Sequence, residues 1–211
     1  MSDSRVAAMP VQDCGEELVD IRASGLFLVD DRKQDPDGHY AYLRHGLVDR
    51  LQHAQQALPS GLRLLIVEGY RPPALQRAYF KEYATELRHA NPGWSDSLIH
   101  EAASRYVSPP QIAPHSAGAA VDLTLADQDG QEVDMGTRMN ASPEESGGAC
   151  YTHAESISPT ARAHRATLCH AMSEAGFVNY PTEWWHFSYG DRYWALHSSQ
   201  QTALYGPRDR A

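Results

Sequence analysis

Positive charge is scarce in this 211-residue chain: 18 Lys and Arg stand against 27 Asp and Glu, a formal net charge of −9. No basic run occurs, which excludes a phosphate-backbone binder and a basic membrane-surface protein. Long apolar runs are missing too. None could span a bilayer, and residues 1–20 hold no apolar stretch of signal-peptide length, so a cytoplasmic protein is expected. Cysteine is rare: Cys14, Cys150 and Cys169 are odd in number and widely spaced, fitting neither a disulfide framework nor a CxxC metal clamp. There is no Gly-rich phosphate loop and no internal repeat. His100-Glu101 lacks the second histidine of a helical HExxH motif, and Ser108 has no base beside it to make it a nucleophile.

What is present reads as one domain covering residues 1–211. Residues 16–30 suggest one or two short strands. From Tyr40 to Leu58, Leu43, Leu47, Leu51, Ala54 and Leu58 recur at helical spacing. LRLLIVEGY is a continuous apolar run, read as a buried strand ending at Arg71-Pro72-Pro73. The two prolines open a helix whose expected face is Leu75, Tyr79, Tyr83 and Leu87. Another helix is predicted over 96–106, capped by Ser95 or Asp96. Val121, Leu123 and Leu125 alternate with Asp122 and Thr124, the pattern of a half-buried strand. A polar, Gly-rich loop is expected over 127–157, then a helix from Ser158-Pro159 to Gly176. Strands separated by helices, with several strands late in the chain, imply an α+β fold, a sheet with helices packed around it.

The segment PTEWWHFSYG, residues 181–190, reads as the last strong strand, yet it sets Glu183 and His186 among aromatics. A buried carboxylate needs a partner, and a metal ion is one. His115, Asp122 and His186 are two histidines and one carboxylate, a common set for a catalytic zinc with one position left open. Glu183 could then act on the attacking water, and Arg71 stands at the end of an apolar strand. One difficulty accompanies this reading. Side chains three apart on an ideal strand face opposite ways, so Glu183 and His186 share a site only where the strand ends, bulges or twists.

PHSAGAAVDLTL resembles the zinc-binding signature S-x-H-x-x-G-x-A-x-D of the D-alanyl-D-alanine dipeptidase and carboxypeptidase family, and EWWHF resembles its second signature, E-x-x-H. Asp20-Ile21-Arg22, VEGYRPP, DMGT at 134–137, ISPTARAHR and GFVNYPTEWWHFSYGDRYWA follow the same order, so the likeness covers most of residues 18–196. It implies a central, mostly antiparallel sheet of the hedgehog and D-Ala-D-Ala-peptidase kind. It also implies one zinc per chain, held by His115, Asp122 and His186. Glu183 would be the general base and Arg71 the oxyanion donor, with Trp184 and Trp185 walling the substrate pocket. The implied substrate is a small dipeptide, D-Ala-D-Ala. The same-class alternative is a D,D- or L,D-carboxypeptidase on peptidoglycan peptides; a non-catalytic zinc module would lack the base or the arginine. Ala113 stands where the signature has its serine, and Ser116 is the nearby hydroxyl expected to meet the substrate.

Overall fold

The structure, a computed structural model, describes residues 3–210. Within them α1 (Ser4–Ala8), β1 (Leu18–Asp20), β2 (Leu28–Val29) and β3 (Tyr42–Arg44) precede α2 (His45–Ala57) and β4 (Arg63–Glu68). Two helices follow, α3 (Pro73–Ala90) and α4 (Asp96–Tyr106), then β5 (Ala120–Ala126) and the single turn α5 (Pro143–Ser146). The chain continues through α6 (Pro159–Glu174), β6 (Val178–Asn179), β7 (His186–Ser188) and α7 (Arg192–His197). No helix among the described residues is long and apolar enough to cross a membrane.

The main sheet has five strands in the order β2-β4-β5-β7-β6, antiparallel throughout except for the parallel β2–β4 pair. β1 and β3 form a separate antiparallel ribbon. This is the mixed α+β architecture expected. The core gathers Leu47 and Leu51 from α2, Leu64 and Ile66 from β4, Leu123 from β5 and Leu168 from α6. Each fully buried side chain of this size contributes roughly 1.5–3 kcal/mol.

Four local readings change. The apolar repeat beginning at Tyr40 is a 3₁₀ turn and strand before it becomes helix at His45, because Leu43 pairs with Val19 across the ribbon. β5 is buried at all seven positions rather than on one face, being covered by neighbours on both edges and both sides. The expected apolar face of α3 is not a core face: Leu75 is 37% exposed, and the helix fully buries only Gln76. Finally, PTEWWHFSYG is a strand only from His186 onward. Before it, Glu183 N donates to Tyr180 O and His186 N to Glu183 O, so Glu183 sits in a turn.

The turn carrying His115 is a 3₁₀ helix, His115–Ala117, closed by Gly118 in the left-handed region at φ 64°. A Cβ there would lie 2.3 Å from Leu18 Cδ2. Gly118→Ala is therefore expected to cost roughly 1–3 kcal/mol for the backbone alone. A lower urea midpoint at unchanged m would show it, and an unchanged midpoint would refute it.

Candidate active site

The sheet register builds the site from the residues upward. Asp122 on β5 lies opposite Glu68 of β4 on one side and His186 of β7 on the other, so three ionisable side chains form one row across three strands. The β4–β5 register shifts between Ile66 and Glu68, and this irregularity brings Glu68 level with Asp122. His115 is tied to the same edge, since Arg71 N donates to His115 O at 3.1 Å.

His115 Nδ1 lies 2.6 Å from Gly69 O. A carbonyl oxygen only accepts, so Nδ1 donates and the Nε2 lone pair faces the cluster. That Nε2 is 3.2 Å from His186 Nδ1 and 3.3 Å from Asp122 Oδ1, while His186 Nδ1 and Asp122 Oδ1 are 2.9 Å apart. Three potential ligand atoms thus converge, none more than 3.3 Å from the next. Ligands about 2.0–2.1 Å from a tetrahedral ion stand roughly 3.3 Å apart, so the three atoms fit a divalent cation between them. His186 Nε2, buried and without a hydrogen-bond partner among the described residues, agrees with a ring turned so that Nδ1 serves the cluster. Asp35, Asp37 and His39 also come together, but on a turn where the Asp35 carboxylate already receives the N–H groups of Asp37 and Tyr40.

Glu183 is the acid beside this set, with Oε2 3.9 Å from His186 Nδ1. Burial raises its carboxyl to about 7; the Asp122 charge adds to the rise, while His186 and Arg71 oppose it. Asp122 behaves in the opposite way. Burial works against its charge, but His115 and His186 outweigh burial and hold it well below the usual carboxylate range.

Arg71 is clamped. Glu68 receives Nε at 2.6 Å and Nη2 at 2.7 Å, and Gln76 Oε1 receives Nη1 at 2.9 Å. Of the five N–H bonds on a guanidinium, one on each Nη remains unused. Burial opposes ionisation of Glu68, yet the Arg71 charge and hydrogen bonds keep its carboxyl below the ordinary value. Neither Glu68 nor Gln76 stands out in the sequence. The available signal was the three-residue spacing in EGYR, which returns Glu68 towards the arginine after the strand ends.

A cleft of about 270 Å³ opens over the cluster and brings together His115, Asp122, His186, Glu183, Arg71 and Trp185. Its outer wall comes from α3 and α4, through Tyr79, Tyr83 and Tyr106. The loop over 127–157 contributes Asn140. Two predicted contacts fall outside this lining. Ser116 is fully buried behind the His115 turn, where its carbonyl receives Arg208 N. Trp184 is 1% exposed and packs edge-on against Trp185, its Nε1 donating to Thr137 Oγ1. Both tryptophans lie in the turn that precedes β7 and are buried in the core, and only Trp185 also reaches the cleft lining. Ala113 does line the cleft and brings no hydroxyl to it.

A two-histidine, one-carboxylate set with an acid beside it in an open cleft is the donor arrangement of metal-dependent hydrolases. Comparison with known proteins narrows the class. The family model described as D-ala-D-ala dipeptidase matches residues 43–203. A D-alanyl-D-alanine dipeptidase of Synechocystis sp. is 31% identical over 222 residues, covering 92% of this chain and 90% of that protein. One of the same name from Escherichia coli is 33% identical over 129 residues, 61% of this chain and 55% of the relative. Among solved structures, the vancomycin-resistance D,D-pentapeptidase VanY in complex with Zn(II) aligns over 90% of both chains, at 18% identity and a TM-score of 0.49. The chain belongs to the D-ala-D-ala dipeptidase family, a family of peptidases.

The buried Glu68–Arg71 pair carries a prediction about stability. Glu68→Gln leaves a largely buried guanidinium without its counter-charge and is expected to cost on the order of 3 kcal/mol. Glu101→Gln, at the exposed pair with Arg105, should cost less than about 1 kcal/mol. Urea unfolding of the two variants compares them; equal losses would refute the assignment.

Proposed function

We propose that this chain is a zinc-dependent dipeptidase hydrolysing D-Ala-D-Ala, or a closely related D-residue dipeptide, as one domain acting in the cytoplasm. The carrying observation is a buried carboxylate, Glu183, set beside the convergent lone pairs of His115, Asp122 and His186 in the cleft that Arg71 also lines. The names of the relatives support the substrate. One zinc ion held by His115, Asp122 and His186 would supply Lewis acidity, polarising a carbonyl and acidifying water.

The protein's own groups do the remaining work. Glu183 takes the proton from the attacking water and delivers it to the leaving amine, a role suited to a carboxyl that burial has raised to about 7. The two unused N–H bonds of Arg71 point to an oxyanion role, where one well-placed donor contributes roughly 3–4 kcal/mol. Gly69 O fixes the ring of His115 through Nδ1. Trp185 walls the cleft and limits water around the developing charge.

One observation favours a second reading, a carboxypeptidase on longer peptides. Cleft residues on α3 run from Gln76 to Glu86, about 15 Å of helix, whereas an extended dipeptide spans roughly 7 Å. Comparing D-alanine release from the dipeptide and from a D-Ala-D-Ala-terminated pentapeptide separates the two.

Glu183→Ala should lose at least ~100-fold in turnover of D-Ala-D-Ala while its zinc content stays that of the wild type. Retained turnover would remove Glu183 from the base role, and absence of D-alanine release by zinc-loaded wild type would remove the substrate. Zinc removal by a chelator should abolish turnover and readdition restore it. His115→Ala should fail to retain zinc by elemental analysis, and a full complement of zinc there would displace His115 from the ligand set.

A further inference from the structure

The helix α3 fully hides one side chain, and it is polar: Gln76 is 1% exposed. A carboxamide is unfavourable in such a place unless both of its ends are bonded. Both are. Oε1 accepts from Arg71 Nη1 at 2.9 Å, and Nε2 donates to Ser108 O at 2.7 Å. Ser108 begins the segment that leads into the His115 turn, and Arg71 N is itself bonded to His115 O. Gln76 therefore bridges the arginine to the chain segment that carries a metal-binding histidine.

Glu68 holds the Nε/Nη2 edge of the guanidinium in a two-point pair, and the Tyr79 ring centroid lies 5.1 Å from its Cζ, but neither bonds Nη1. Gln76 supplies the hydrogen bond to Nη1, outside that edge. The chemistry at position 76 matters as well. A glutamate there would place a second negative charge on Arg71 and turn a carboxylate towards the Ser108 carbonyl, two acceptors facing one another. A carboxamide anchors the arginine without drawing off its charge.

We propose that Gln76 is the positioning residue of Arg71: it sets the plane of the guanidinium so that the two unused N–H bonds address the reacting carbonyl. This rests on the reading of Arg71 as the oxyanion donor. Gln76 acts through Arg71, although it also stands in the lining of the cleft.

The test is a double-mutant cycle on the zinc-loaded enzyme with D-Ala-D-Ala. Gln76→Leu is expected to lower kcat roughly 10- to 100-fold with KM within about 2-fold, at wild-type zinc content. In an Arg71→Ala background the same change should cost no further turnover. An equal fall in both backgrounds would mean a merely structural role and would overturn the proposal. Wild-type kcat in Gln76→Leu, with turnover lost in Arg71→Ala, would overturn it alone. Full turnover in Arg71→Ala would overturn the oxyanion reading and the proposal together. Should Gln76→Leu not fold, Gln76→Met enters the same cycle; it keeps the length of the side chain and loses both the acceptor for Arg71 and the donor to Ser108 O. The expected result is again a fall in kcat that disappears in the Arg71→Ala background, and a fall present in both backgrounds would refute the proposal.

Discussion

Asp122 is a buried carboxylate at the centre of the sheet, and the surrounding structure is organised to keep it charged. Burial by itself would neutralise it; the imidazoles of His115 and His186 reverse that outcome. Its cross-strand neighbours, Glu68 and His186, are fixed by register, so a one-residue slip of either partner strand would dismantle the row. Glu68 brings a second negative charge to the same row, which Arg71 offsets at hydrogen-bonding distance. The order is hierarchical. The Asp122 position fixes Glu68, Glu68 fixes one edge of Arg71, and Gln76 completes the hold.

Much of this was legible in the sequence because the candidate donor set is carried by types of residue within two short motifs. His115, Asp122 and His186 stand out as donors, and the two signatures supply their order. The elements positioning them were also readable where period and caps agreed: α4 begins after a Ser95 cap whose hydroxyl receives Leu98 N, as its sequence suggests. Reading failed where tertiary context overrode pattern. The apolar beat through Tyr40–Leu58 cannot reveal that its first turn pairs as a strand, since Leu43 is buried under either assignment. The difficulty over Glu183 and His186 came from the same source. Aromatic composition suggested a strand through residues 181–190, but the chain turns at Glu183 and becomes a strand only at His186, so the alternation rule never applies between them.

The Trp184-Trp185 pair shows a limit of a different kind. Composition identifies two bulky aromatic side chains at the site but not which one faces it. That depends on how the turn before β7 sits against the core, where Arg165 lies over the Trp184 ring and the Trp184 indole donates to Thr137. Ser116 is similar. Adjacency to His115 in sequence became, through a tight 3₁₀ turn, burial away from the cleft.

The cleft divides into parts of unequal burial, and this bears on how its shape can be altered. Its floor is the sheet, where Asp122 and His186 are more than nine-tenths buried and locked by register. Its outer wall is the pair α3 and α4, which pack against one another and contribute partly exposed tyrosines. A substitution at Tyr79 or Tyr83 alters the shape of the cleft without touching His115, Asp122 or His186. A substitution at Gln76 does otherwise, because it links that outer wall to the arginine and to the His115 segment. α3 thus presents tyrosines to the cleft on one part of its surface while one buried carboxamide ties it to the chemistry.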